Sequence, residues 1–366
     1  MRVAKRRGNL NENNMKKIFF SVLAIAAIAA CSKSEVQYTD QVEIGFTPVA
    51  HNVTKSVAGL PTSTSPGYDE TFPTTQDLFI YANAQAQNAA GDLVDGSFPD
   101  VYFKKAQFEW RGDSNIYDGT PAQYWPNVKS LIFAGYSEAC NSASLTPVMD
   151  FDNNKLTIEG YVQDNTNTAP GTNDLMWFPR TSPYSRTSDA VGVTLKHACS
   201  WITVKVIGDA TTGLNYKLHN LTINNLYHEG TAECGAESAS WKDYVDDSKE
   251  AEILFSSPVG ETFPKSGEAV VFEDEDNNFV VIPQLPTTID VKYSYYAQAG
   301  ADKITETVTD LPLSLGEDSE GNDIKWESGK HYIYTITITA TEILVAPTVT
   351  GWTDVVVNEI PALPVE

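Results

Sequence analysis

The 366-residue chain lacks any apolar run long enough to cross a membrane as a helix, which takes about 20 residues. Its most apolar stretch, Ile18 to Ile28, is 11 residues and is broken only by Ser21. Cysteine is scarce. Cys31, Cys140, Cys199 and Cys234 show neither metal-site spacing nor a disulfide framework. Basic residues are few, 25 Lys and Arg against 48 Asp and Glu, for a net charge of −23. Such a surface repels phosphate backbones and excludes nucleic-acid binding. The five histidines are scattered. No G-x-S-x-G elbow, phosphate loop, dinucleotide fingerprint or H-E-x-x-H occurs, so no catalytic residue, metal or cofactor is expected and the chain does not read as an enzyme. Helical periodicity is missing as well: beyond the N-terminus, no helical period lasts more than about two turns.

What the sequence does have begins at Met15. Lys16 and Lys17 precede the apolar run, and Ala29 and Ala30 lead into Cys31. This is the pattern of a secretion signal over residues 1–30, with Met15 the expected true start, since residues 1–14 do not fit the scheme. A cysteine directly after Ile28-Ala-Ala30 looks like a bacterial lipid-attachment site, which would acylate Cys31 and leave it as the new N-terminus. The alternative is an ordinary signal peptide that happens to have a cysteine after its cleavage site. Several acyl chains, palmitate among them, would hold a soluble body firmly at a membrane surface. Cleavage removes six basic residues and one acidic, leaving 19 and 47, a balance of −28. The remaining 336 residues suffice for two domains with real cores, because 42% of the whole chain is hydrophobic and 11% aromatic.

Residues 31–41 read as a lipidated tether. Val42, Ile44 and Phe46 then alternate with Glu43, Gly45 and Thr47, as in a half-buried strand, and a Gly/Pro/Ser/Thr-rich loop follows from Gly59 to Tyr68. A first strand tied to the body by a long flexible loop is easy to detach. Short β-branched and aromatic runs at Asp77–Ala82, Val101–Phe103, Ala106–Trp110 and Val128–Tyr136 predict a β-rich N-terminal domain over residues 42–187. A second domain, 188–342, opens with one long strand from Val191 to Val206. Its apolar phase shifts after Cys199, which predicts a bulge near Ser200-Trp201. Strands without intervening helices predict antiparallel β-sandwiches in an all-β fold. Tyr332, Tyr334, Ile336 and Ile338 share one face of the clearest strand, and residues 343–366 add two more extended, β-prone pieces.

These residues resemble the fimbrillin-like lipoproteins of the Bacteroidales, whose members include the subunits of type V pili. The resemblance is carried by the lipid-attachment site, Ile44-Gly-Phe-Thr with Thr54-Lys-Ser, Tyr124-Trp-Pro, Asp174-Leu-Met-Trp, Val193-Thr-Leu-Lys-His-Ala, Gly329-Lys-His-Tyr-Ile-Tyr-Thr-Ile and Val349-Thr-Gly-Trp-Thr-Asp. It implies two transthyretin-like, Greek-key sandwich domains in tandem and export as a lipid-anchored outer-membrane protein exposed in a surface fimbria. It also implies proteolytic removal of the N-terminal strand, which opens a groove for a neighbouring subunit's C-terminal segment. The expected partners are other pilus subunits, with a host glycan or protein as a further candidate. The candidate donor strand carries Ile343, Val345, Val349, Trp352, Val355, Val357 and Ile360; the alternative is that this tail closes its own subunit's sheet. Maturation in the family is attributed to an arginine-specific protease, yet no arginine lies between Cys31 and Arg111. Lys33 and Lys55 are the only Lys or Arg residues between Cys31 and Lys104, so cleavage is expected after Lys55 or in the Gly59–Tyr68 loop. If neither is cut, the protein keeps its lipid and is an anchor or a solitary surface lipoprotein.

Site-like patterns have simpler readings. Arg111-Gly-Asp113 matches an adhesion tripeptide but reads as a turn. Asp150-Phe-Asp-Asn-Asn154 opens like a calcium loop, yet Lys155 and Tyr161 stand where glycine and glutamate are needed, so a β-turn is expected. His197 reads as a partnered core histidine, and the acidic runs Glu273–Asp276 and Glu317–Glu320 as solvated loops. Tyr124, Trp125, Trp177 and Trp241 are candidate sugar-stacking aromatics, though core packing is the commoner role.

Overall fold

Runs such as Val191-Gly-Val-Thr-Leu-Lys-His197 put apolar side chains on one face at period two, which a pleated strand buries and a helix cannot. The computed structural model of the chain describes residues 41–50, 77–111, 116–137, 145–163, 174–263, 270–272, 279–298, 300–339 and 343–351. The first strands are β1 (Gly45–Ala50), β2 (Leu78–Ala84), β3 (Asp100–Arg111), β4 (Ile116–Gly119), β5 (Leu131–Ser137), β6 (Thr146–Asp150), β7 (Lys155–Val162), β8 (Met176–Phe178) and β9 (Val191–His197). Then come β10 (Ser200–Gly208), β11 (Asn215–Tyr227), β12 (Glu229–Cys234), β13 (Ala239–Lys242), β14 (Lys249–Phe263), β15 (Val270–Phe272) and β16 (Phe279–Val281). The last are β17 (Thr288–Tyr296), β18 (Ile304–Pro312), β19 (Lys330–Ile338) and β20 (Ile343–Gly351). Among the described residues there is no α-helix. All of them except Gln41 belong to one compact unit, Val42–Glu366.

Seven strands close a barrel in the order β1-β4-β3-β2-β5-β8-β9. Ile44, Phe46, Leu78, Ile80, Phe133 and Val193 are among the side chains that fill it. On β2, β5 and β8 the alternate residues Tyr81, Ile132, Ala134, Tyr136 and Trp177 form part of a second core shared with residues of β7, β12 and β13. Those strands belong to a four-stranded sheet ordered β13-β12-β7-β6. The central strand β5 is therefore buried at every position. That two-sided burial demands a glycine at 135, where an added Cβ would lie 2.7 Å from both the Phe178 ring and the Phe79 carbonyl oxygen.

A sandwich occupies the C-terminal half. One sheet runs β15-β10-β19-β20, with β16 also on β10, and the other runs β14-β11-β17-β18. Between them pack Ile202, Val204, Leu221, Val291, Trp326 and Ile336, among others. Trp326 Nε1–H donates to the Tyr334 hydroxyl at 2.8 Å, which donates to the Leu313 carbonyl at 2.7 Å. The polar atoms of two large aromatics are thus satisfied inside the core.

Three features differ from the expectation. Val191 to Val206 is two strands rather than one bulged strand: β9 completes the barrel and β10 belongs to the sandwich, so the phase shift marks a change of sheet. The crossing residues Ala198 and Cys199 are pinned on both sides, by Ala198 N–H to Leu175 O at 2.7 Å and Gly329 N–H to Cys199 O at 2.9 Å. Second, the sheets are not wholly antiparallel, because β1 pairs with β9 and β10 with β19 in parallel, each closed by a long excursion of the chain. Third, the runs at 101–103 and 106–110 fuse into one strand, β3, in which Lys105 takes a φ of 47°. Two elements beyond residue 187 pair with strands that precede it: β9 joins β8, and β12 joins β7.

Candidate functional site

The first strand is seated in a narrow apolar slot. Phe46 is fully buried, with its ring edge-to-face with Phe108 at 4.8 Å and with Phe133 at 5.1 Å. Backbone pairing is lopsided: β1 makes two residue pairs with β4 and five with β9. Just upstream, Ile44 N–H donates to Gln123 O at 2.8 Å and Trp125 N–H donates to Val42 O at 2.9 Å. The Tyr124-Trp-Pro motif thus lies along residues 42–44, and Trp125 sits in the barrel core against Phe133 at 5.8 Å. Sequence reasoning missed this clasp, because nothing local to residues 123–125 reports which distant backbone they pair with. Gly45 is held to glycine by the same close approach, since a Cβ there would come within 2.6 Å of the Ile116 side chain.

At the other end, β20 pairs antiparallel with β19 of its own chain over nine residues, from Lys330↔Gly351 to Ile338↔Ile343. Ile343 is buried, and Val345 and Val349 pack against the sandwich core. Trp352, Val355, Val357 and Ile360 lie outside the described residues, as do Cys31, Lys55 and Cys140. Cys199 and Cys234 are buried, and neither is in a disulfide. Burial pushes the Cys234 thiol far above its ordinary range.

His197, at the end of β9, is buried against the carboxylate of Asp174, so the Asp174-Leu-Met-Trp motif supplies the partner that a core histidine needs. A second buried histidine, His331, lies flat on the Trp201 ring at 3.5 Å and bonds through Nε2 to Thr203 Oγ1 at 2.8 Å. Burial, with Lys205 nearby, pushes its imidazole down to about 3. Asp150 forms the β6–β7 turn: its Oδ1 accepts the backbone N–H groups of Asp152 and Asn153, and Asn153 Nδ2–H donates to Oδ2 at 2.7 Å. Those hydrogen bonds, Asn153's side chain foremost, hold its carboxyl below the ordinary range. Arg111 ends β3, with its guanidinium 3.9 Å from Asp118; Gly112 and Asp113 lie outside the described residues. Of the candidate stacking aromatics, Trp125 and Trp177 are buried in the cores, while Tyr124 and Trp241 are half-buried.

Trp241 lines a cleft of about 1230 Å³ between the β12–β13 hairpin and the loop that leads into β19. No group of three or more His, Cys, Asp or Glu able to hold a metal occurs among the described residues.

These features define an all-β protein whose organised features are a seated N-terminal strand, a C-terminal edge strand and a cleft. The family model described as fimbrillin-like matches residues 67–352, and the chain belongs to that family. No curated protein matches it significantly. Among solved structures, a fimbrial protein from Bacteroides vulgatus is similar with a TM-score of 0.56 at 15% identity, covering 84% of this chain and 99% of that one. A cell adhesion protein, so described, from Bacteroides uniformis aligns at 0.43 and 15% identity, over 85% and 99%. The tip fimbrial protein Mfa3 from Porphyromonas gingivalis aligns at 0.39 and 10% identity, over 85% and 100%. The shared fold rests on the first of these.

Proposed function

We propose that this chain is a subunit of a surface fimbria, exported as an outer-membrane lipoprotein through Cys31 and assembled by strand exchange after β1 is removed. The observation that carries the proposal is the seat of β1. A strand that closes the barrel around one buried phenylalanine leaves, when it is gone, an apolar slot flanked by the unpaired edges of β4 and β9. A strand from a neighbouring subunit satisfies both the slot and the edges. The inserting segment is taken from 343–366. Because β20 already pairs with β19, the reading is most economical if Trp352, Val355, Val357 and Ile360 enter the groove while Ile343, Val345 and Val349 stay on their own sheet. Residues 42–187 and 188–342 are then two transthyretin-like modules, tied together by the return of β9 and of the β12–β13 hairpin to the first.

Two measurements test this. Truncation after Gly351 should leave the body folded and abolish polymers; polymers that survive refute the exchange. Mass spectrometry of the N-terminal peptide from the native cell surface should find a chain beginning beyond about Lys55. A second reading, a lipid-retaining anchor or solitary surface lipoprotein, is favoured by the absence of arginine between Cys31 and Arg111. An acylated Cys31 on the mature protein would select it.

A further inference from the structure

The cleft beside Trp241 straddles the crossing from barrel to sandwich, and its walls are fixed from several directions. On one side, Trp241 Nε1–H donates to Ala198 O at 2.7 Å and its ring meets Tyr161 edge-on at 5.0 Å. The Tyr244 hydroxyl beside it donates to Pro283 O at 2.5 Å. On the other, the Ser328 hydroxyl donates to His197 O at 2.7 Å, and Asp318 closes its own loop by accepting the backbone N–H groups of Glu320 and Asn322 at 2.8 and 2.9 Å. A site held this way loses little ordering entropy when a ligand arrives.

We infer that this cleft binds a neutral oligosaccharide, an adhesive role that rests on the reading of the chain as a surface protein. Three properties select that chemistry. The half-buried Trp241 offers part of an indole already immobilised, the kind of flat apolar platform on which the C–H face of a sugar ring packs. Around it stand short neutral hydrogen-bonding groups at Ser238, Ser240 and Asn322, suited to hydroxyls. The charges nearly cancel, with Lys196, Lys325 and Lys330 against Glu237, Asp318, Asp323 and Glu327, and Lys196 is already engaged by Glu237 at 3.1 Å. A strongly anionic ligand therefore finds no excess of positive charge. The cleft volume of about 1230 Å³ exceeds the roughly 300–1,000 Å³ typical of a drug-sized ligand site, so it suits a chain of several sugars better than a single one.

The test is a printed array of neutral (galactose-, N-acetylglucosamine-, fucose- and mannose-terminated) and sialylated oligosaccharides, probed with the full-length exported protein. Calorimetry on the strongest hit follows. Neutral glycans should bind, and Trp241→Ala should weaken binding at least tenfold. Ser240→Arg, at an exposed position on the cleft wall, should do the same by filling the space without touching the core. Tyr296→Ala, a half-exposed aromatic elsewhere, should leave affinity unchanged. Polymer formation should be unaffected in all three variants, which keeps failure here distinct from failure of the assembly reading. The inference is overturned if no neutral glycan binds, if only sialylated glycans bind, or if Ser240→Arg binds normally. It is also overturned if Ser240→Arg abolishes polymers, since the cleft would then be a seat for a protein segment.

Discussion

Replacing Phe46 by alanine tests whether the first strand is held as a separable element. The ring is fully buried and sits edge-to-face between Phe108 and Phe133. Truncating a buried phenylalanine costs about 3–5 kcal/mol, combining lost transfer energy with the cavity left behind. If β1 opens without unfolding the rest, that cost falls on the local opening equilibrium. Each 1.4 kcal/mol is tenfold in population, so the opened fraction should rise roughly 100- to 4,000-fold. Hydrogen exchange read by mass spectrometry separates the two ways of spending the energy. Peptides over residues 42–50 should lose protection by that factor, while β17, Thr288–Tyr296 in the C-terminal sandwich, should keep its own. If β17 loses protection equally, β1 is an integral part of one cooperative fold and the detachable-strand reasoning fails. If neither changes, Phe46 does not hold the strand.

Three further outcomes follow from the same packing. Gly135→Ala forces a methyl to within 2.7 Å of Phe178 and the Phe79 carbonyl; overpacking of this kind costs about 1–3 kcal/mol, readable as a lower denaturant midpoint. Tyr334→Phe leaves the Trp326 indole N–H and the Leu313 carbonyl without their buried partner; a loss of about 1–3 kcal/mol is expected, whereas a neutral change would mean that water replaces the hydroxyl. Buried His331 should make the protein acid-labile. The unfolded chain takes up a proton below its ordinary value near 6.5, the folded chain only near about 3. Stability from this residue is therefore complete above pH 6.5 and is lost as pH falls from 6.5 to 3, on the order of 5 kcal/mol over that window. Chemical denaturation at a series of pH values should show the slope, and His331→Gln should flatten it.

Much of the strand content was legible because alternation is a local property. Tyr332, Tyr334, Ile336 and Ile338 all point into the sandwich core, as their spacing in the chain implies. The turn at Asp150 was legible too, since Asp and Asn bond to their own backbone two or three residues on. Less could be read where burial is two-sided. Leu131–Ser137 reads only as an apolar run, because a strand with partners on both faces loses its alternation. The break at Ala198-Cys199 showed in the sequence as a phase shift, but a bulge and a change of sheet leave the same mark.

For the functional elements the division is sharper. By sequence alone the chain is a β-rich, strongly acidic protein with a signal-like leader and β-prone ends, because composition, period and charge act through neighbours a few residues away. Tertiary structure decided that β1 closes a barrel beside β9, that Tyr124-Trp125 clasps residues 42–44, that β20 lies on β19, and that the β12–β13 hairpin returns to form one wall of a cleft. Apart from the β19–β20 pair, whose partners lie five to 21 residues apart, each of these joins segments dozens to more than a hundred residues apart. Such pairings are selected by the summed burial of whole faces, and no window of sequence contains that sum.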